Sequence, residues 1–259
     1  MSVDGVERDG LRSGDVAIVT GGGGGFGRAF ARRLARMGAR IAVWDINAVE
    51  GAETVRLVEQ DGGAALFFRV DLANADDIAR CAAETIEALD VPYCVINNAS
   101  VFPRGEVVDL SLAAWELTFR VNITAPFFIL KTLGPRMIER KRGVVINLAS
   151  GRAIEGAAKG ANYAATKAAI LSLTKSLALE WARHGIRVNA IIPGQSLTAM
   201  PLENTTEVAM HAQARTRNPM GRVGYPEDVA GLAAYLVSAD AAYMTGQGVA
   251  INGGAVLVP

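Results

Sequence analysis

Val16-Ala17-Ile18-Val19-Thr20-Gly21-Gly22-Gly23-Gly24-Gly25-Phe26-Gly27 decides how this chain folds. Its first four residues are apolar and mostly β-branched, as in a short strand buried on both faces. Five consecutive glycines follow, and the stretch 26–37 then reads as a helix. Glycine tolerates positive φ and carries no Cβ, so such a loop lets a pyrophosphate approach the backbone. The helix start adds free N–H groups and the positive end of its dipole. A flexible linker is the other meaning of a glycine run, and the position between strand and helix argues against it.

Outward from this unit the pattern repeats. Further apolar runs at 40–44, 65–68, 93–96, 144–148, 187–192 and 248–251 read as strands. Helical stretches at 48–60, 76–89, 112 to about 140, 163–183 and 227–237 separate them. Near-continuously apolar strands alternating with helices predict an α/β fold, a parallel sheet covered on both faces. No repeat or linker divides the chain, so 1–259 is expected to form a single domain. Two segments depart from the alternation. Residues 1–14 are charged and are expected to be a mobile arm, and 195–217 are polar and poorly periodic and are expected to be a lid beside a cleft.

Composition removes several functions. Twenty-six basic residues balance twenty-six acidic ones, so neither a nucleic-acid surface nor a disordered acidic tail is expected. No apolar run is long enough to span a bilayer, and the first fourteen residues hold no apolar core of a secretory signal. Cys81, Cys94, His184 and His211 stand outside any ligand spacing, so no metal site is expected. Two buried thiols in a reduced, cytoplasmic setting is the plain reading.

Tyr163 and Lys167 are four residues apart within a helical stretch and share one face of it. Ser150 lies thirteen residues before Tyr163, just after the run 144–148. Together these groups form an acid/base device for an alcohol. A nearby ammonium favours phenolate, and a downward shift of about three units would bring a phenol into working range near neutral pH. By itself the pair also describes an amphipathic helix with a half-buried tyrosine and a solvated lysine.

Asp45 ends the second strand, eighteen residues beyond Gly27. A carboxylate there accepts hydrogen bonds from both ribose hydroxyls of an adenosine and repels a 2′-phosphate. Gly24, Ile46 and Asn47 add no positive charge, so NAD is expected rather than NADP. The competing reading makes Asp45 a cap of the next helix.

The Thr20-Gly21-x-x-x-Gly25-x-Gly27 loop is joined in order by Asp71-Leu72, Asn97-Asn98-Ala99, Asn122, Ser150, Tyr163/Lys167, Pro193-Gly194 with Thr198, the run from Gly221 to Ala230, Thr245-Gly246-Gln247 and Gly253-Gly254. In this order and spacing the chain resembles the short-chain dehydrogenase/reductase family across nearly its whole length. The resemblance implies a Rossmann-like, doubly wound parallel sheet and an NAD-dependent oxidoreductase. It implies that Tyr163 exchanges the substrate hydroxyl proton and that Lys167 holds the nicotinamide ribose and depresses the tyrosine pKa. Ser150 would orient the carbonyl oxygen, and Asn122 would hold a water of the proton path. Asn122 also reads as an amide that only bonds neighbouring backbone. Phe26 and Ile46 are counted with Gly21, Gly25, Gly27 and Asp45 in the cofactor site. Asp71 and Leu72 would flank the adenine, although Asp71 also reads as a strand-end turn residue. Asn98 and Ala99 would line the ribose, and Pro193, Gly194 and Thr198 would meet the carboxamide.

Ser100 stands where glycine usually follows Asn-Asn-Ala in the family, and it is expected to alter pocket shape more than chemistry. The substrate wall is expected from 101–107, 152–162 and the lid, contributing Arg104, Arg152, Glu155, Gln195 and Met200. Such groups suit a small sugar, polyol or hydroxy acid. Substrate contacts are assigned to Ser150, Tyr163, Arg152 and Gln195. Arg152 either pairs with a substrate carboxylate or with Glu155, and the pair with Glu155 is slightly favoured. A second reading is a 3-oxoacyl thioester reductase whose carrier docks on Arg136, Arg140, Lys141, Arg142 and Arg183, residues that equally describe solvated helix ends. A third is an NAD-binding sensor without turnover. A homotetramer is expected from the family, through the long helices and the last strand.

Overall fold

Along the first strand, Val16 and Ile18 enter one hydrophobic layer while Ala17 and Val19 enter the other. This two-sided burial is why the run carries no polar alternation. The computed structural model describes residues 9–202 and 205–257. Its strands are β1 (Val16–Thr20), β2 (Arg40–Asp45), β3 (Ala64–Arg69), β4 (Cys94–Asn97), β5 (Gly143–Leu148), β6 (Ile186–Pro193) and β7 (Gly248–Ile251). They form one parallel sheet in the order β3-β2-β1-β4-β5-β6-β7. The helices are α1 (Gly25–Ala35), α2 (Ala48–Gln60), α3 (Ala75–Leu89), α4 (Leu112–Phe119), α5 (Ala125–Arg140), α6 (Arg152–Glu155), α7 (Ala161–Trp181), α8 (Ala199–Leu202), α9 (Glu207–Arg217) and α10 (Pro226–Val237).

One layer packs Phe30 and Leu34 of α1, Val58 of α2, and Val229, Ala233 and Leu236 of α10 on the sheet. The opposite layer packs Ile78 and Cys81 of α3, Ile129, Leu133 and Met137 of α5, and Trp181 of α7. Cys81 and Cys94 are both buried, and burial pushes each thiol up to about 12. Strand order reverses between β1 and β4, so the connections leaving their C-terminal ends diverge and open a crevice there.

Three expectations change. The helix expected over 112 to about 140 is broken by a π-helical stretch, Arg120–Thr124, where the Ala125 N–H donates to the Arg120 carbonyl. Pro126 contributes to the break because it has no N–H to give the Asn122 carbonyl four residues back. The segment expected as a lid, 195–217, carries more regular structure than its poor periodicity suggested, since it contains α8 and α9. Thr206 caps α9 by accepting from the Ala209 N–H, and Met210 and Ala214 pack with Val223. Of the expected arm, 1–8 lie outside the described residues, and 9–14 are bound to the body. The Leu11 N–H donates to the Val237 carbonyl at 2.9 Å, and Arg142 reaches Asp9 and Asp15 at 3.2 and 2.8 Å.

Candidate active site

Thr20 at the end of β1 builds the first wall. Its hydroxyl accepts from the N–H groups of Asn98 (3.0 Å) and Ala99 (3.1 Å), which follow β4. The Asn98 side-chain amide in turn donates to the carbonyls of Thr20 (2.9 Å) and Gly21 (3.1 Å). The β4 exit thus clamps the glycine loop. Gly21 has φ +60°, and Gly25 has φ +49° with Thr198 directly across from it. A Cβ on Gly27 would come 2.0 Å from the Gly21 oxygen, so only glycine lets α1 sit this close to the loop.

A phosphate cradle requires open backbone, and that is present. No side chain caps α1, and a Cβ on Gly24 would meet nothing within 4 Å. Uncapped first-turn N–H groups beside open space fit a pyrophosphate. At the end of β2, the Asp45 carboxylate accepts from the Gly23 N–H (2.8 Å) and the Asn47 N–H (2.9 Å). Asn47, not Asp45, caps α2. Ile46 beside it is exposed. Asp71 accepts from the Ala73 N–H at 2.9 Å, which makes it the turn residue of the alternative reading, and Leu72 is half-buried against the core. All these residues follow the C-terminal ends of β1 to β4, the edge that the topology opens. The residues present therefore fit a nicotinamide dinucleotide.

At the other end of that edge lies a cavity of about 490 Å³ lined by Phe26, Ser150, Arg152, Tyr163, Pro193, Gly194, Gln195 and Thr198. The expected Arg104, Glu155 and Met200 line it too. Tyr163 and Ser150 stand together on its wall, the Ser150 hydroxyl favouring the phenolate, and the Arg152 N–H donates to that hydroxyl at 3.2 Å. Arg152 pairs with Glu155 at 3.5 Å, the favoured alternative of the sequence. Ser100 carries a buried hydroxyl with no hydrogen-bond partner.

Lys167 is not solvated. It is 3% exposed, its Nζ donates to the Leu148 carbonyl at 2.7 Å and stands 5.4 Å from the Tyr163 ring centre. Burial drives its pKa down to about 7. This corrects the expected electrostatics. Burial pushes the Tyr163 phenol upward, and the groups pulling it back are the Ser150 hydrogen bond and the charges of Arg152 and Arg104. Lys167, which donates a hydrogen bond to the Leu148 carbonyl, is not among the groups that lower the Tyr163 phenol.

Asn122 is likewise committed within the protein. Its Oδ1 accepts from the Val101 N–H (2.9 Å), and its Nδ2 donates to the Val101 carbonyl (3.0 Å) and the Thr166 hydroxyl (3.2 Å). The side-chain amide therefore makes the backbone bonds of the alternative reading. Its role is to tie the π-helical turn to the segment after β4 and to α7.

Residues 22–256 match the family described as enoyl-(acyl carrier protein) reductase. The chain is 34% identical over 242 residues to 2,5-dichloro-2,5-cyclohexadiene-1,4-diol dehydrogenase of Sphingobium indicum, covering 93% of this chain and 96% of that one. The chain belongs to the short-chain dehydrogenase/reductase family. The 2-dehydro-3-deoxy-D-gluconate 5-dehydrogenase of Bacillus subtilis is 34% identical, covering 93% and 94% of the two chains. A solved structure of a candidate NAD(P)-dependent gluconate 5-dehydrogenase from Beutenbergia cavernae, with NADP bound at low occupancy, superposes with a TM-score of 0.88 at 34% identity, over 94% and 97% of the chains.

This short-chain dehydrogenase/reductase is thus an oxidoreductase of a family that binds a nicotinamide coenzyme. Within the expected wall segments the sequence did not single out Phe102, Gln213 or Arg217, and Val256 lies outside those segments. Phe102 stacks on Tyr163, ring centres 4.3 Å apart. Gln213 and Arg217 reach the cavity from α9, and Val256 from the C-terminal segment. Their four-residue spacing, with Arg217 in the last turn of α9, was the available signal for Gln213 and Arg217.

Proposed function

We propose that this enzyme is NAD-dependent and interconverts a secondary alcohol and its ketone, or a related aldehyde or lactone, on a small hydroxylated substrate. The observation that carries the reading is the placement of Ser150 and Tyr163 together on the wall of the cavity beside the glycine loop. The diol and gluconate-type activities named for the relatives agree with it.

In the coenzyme site, the α1 amides and glycine loop take the pyrophosphate, and Asp45 with Ile46 takes the adenosine ribose. Asp71 and Leu72 flank the adenine, Asn98 and Ala99 line the path, and Lys167 meets the nicotinamide ribose. Pro193, Gly194 and Thr198 meet the carboxamide end. A bound nicotinamide would supply the hydride acceptor for the carbinol carbon, so that alcohol and NAD⁺ would become ketone, NADH and one proton. Ser150 donates to the substrate oxygen and orients it. Tyr163 takes the hydroxyl proton as phenolate, or gives it as phenol in the reverse direction. That proton leaves past Lys167 to a water on the main-chain carbonyl of Asn122, which Pro126 leaves without its α-helical donor.

For the coenzyme, Asp45 and Glu50 both border Gly23, and Arg28 in that corner is paired with Glu50 at 2.7 Å. A 2′-phosphate there meets two carboxylates and no free cation from Arg28. Screening sugars, polyols, hydroxy acids and acyl thioesters with each coenzyme should show NADH formation from a small hydroxylated compound. NAD should be preferred over NADP by roughly 100-fold. Preference for NADP rejects the reading of Asp45, and a dead panel beside tight NADH binding favours a sensor. The acyl-carrier reading loses support because Arg136, Arg140 and Arg142 are taken up by Glu139, Asp90 and the Asp9/Asp15 pair.

A cytoplasmic homotetramer is the assembly that we propose. Trp115 and Leu117 of α4, Phe127 of α5 and Leu179 of α7 are exposed, and Ala164, Ala165, Ala168 and Ala169 of α7 permit close helix packing. Light scattering should give four times the chain mass, and a monomer refutes it.

A further inference from the structure

The cavity wall above Tyr163 holds three arginines, Arg104, Arg152 and Arg217, against one carboxylate, Glu155. Glu155 is matched to Arg152. Among the described residues neither Arg104 nor Arg217 has an acidic partner. Among the described residues the wall therefore carries more positive than negative charge.

Arg104 is held in place. Its guanidinium carbon lies 4.4 Å from the centre of the Phe102 ring, and Phe102 in turn stacks on Tyr163 at 4.3 Å and 19°. Guanidinium and phenol thus both contact the Phe102 ring. A cation against an aromatic face keeps N–H groups for an anion. Sharing one ring keeps the cation close to the phenol. Arg217 approaches from α9, with Gln213 one turn earlier on the same face, and Gln195 comes from the segment after β6.

We propose that the substrate is a short polyhydroxy carboxylate. Arg104 and Arg217 hold its carboxylate, Gln195 and Gln213 bond its hydroxyls, and the reacting carbinol stands at Ser150 and Tyr163. This rests on the oxidoreductase reading above and names the substrate class within it. It also moves the anion contact away from Arg152, which Glu155 already engages. The short span from cation to phenol suits an anion a few bonds from the reacting carbon. A long acyl thioester would instead place its chain among charged groups.

D-Gluconate and D-sorbitol share six carbons and differ at one end, carboxylate against hydroxymethyl. With full-length enzyme and saturating coenzyme, gluconate should exceed sorbitol in kcat/KM by about 10- to 100-fold, the range of charge-assisted hydrogen bonds. Arg104→Gln and Arg217→Gln should each raise KM for gluconate about tenfold or more, with little change in KM for sorbitol. Arg104→Lys should recover only part of the loss, because it keeps the charge without the stacked fork. Added salt should weaken gluconate alone. Equal use of both compounds, or variants that affect both alike, overturns the proposal. If neither compound is turned over while NADH binds, the oxidoreductase reading is what fails. Calorimetry on the NADH-loaded enzyme then decides the subsite separately. Saturable binding of gluconate but not sorbitol supports it, and binding of both or of neither overturns it.

Discussion

Tyr163→Phe should lower turnover by roughly 10²- to 10⁴-fold, the usual worth of one positioned acid/base group, while NADH affinity stays near its wild-type value. The phenyl ring keeps the stack on Phe102, so the pocket wall survives and only the exchangeable proton is lost. The pH profile sharpens the test. Alcohol oxidation needs phenolate and ketone reduction needs phenol. Because burial raises the Tyr163 pKa, oxidation should climb toward alkaline pH and reduction should fall there. In the phenylalanine variant the dependence due to this group should vanish in both directions. Ordinary turnover in that variant ends the acid/base assignment.

Lys167→Met should lower turnover by roughly 100-fold or more, as expected when a positioning group is lost, and it should change how stability responds to pH. In the folded chain burial lowers the amine from 10.5 to about 7. Below about 7 the folded and unfolded chains both hold the proton, and above 10.5 neither does. Between those limits the unfolded chain binds the extra proton, so the wild type gains stability as pH rises. The full gain is on the order of 5 kcal/mol at 1.36 kcal/mol per unit. Methionine does not titrate. The melting temperature of the wild type minus that of the variant, measured without coenzyme, should therefore grow from pH 7 to pH 10. A flat difference would mean that the amine is solvated rather than sealed against Leu148.

The strands were legible because burial on both faces leaves long apolar runs with little else to confuse them. β2 and β5, for example, begin or end within one residue of the runs at 40–44 and 144–148. The helix α9 was not legible as such. Only Met210 and Ala214 of its eleven residues are buried, so it lacks the apolar stripe that marks a core helix. The break at Asn122 carried a sequence signal in Pro126, but a proline in the middle of a long helical pattern does not say which neighbours will claim the freed groups. Val101 and Thr166, distant in sequence, decided that.

By itself the sequence determined the sheet, the glycine loop and the pairing of a tyrosine with a lysine one helical turn on, because each depends on local pattern or on residue type at fixed spacing. Tertiary structure alone decided their electrostatics. A four-residue spacing places an amine beside a phenol, but only the packing of α7 on β5 buries that amine, ties it to Leu148 and weakens it as a cation. The same holds for the anion subsite. Arg104, Phe102 and Arg217 share a cavity with Tyr163 only because the segment after β4 and α9 converge on it, and side-chain charge acts through space rather than along the chain.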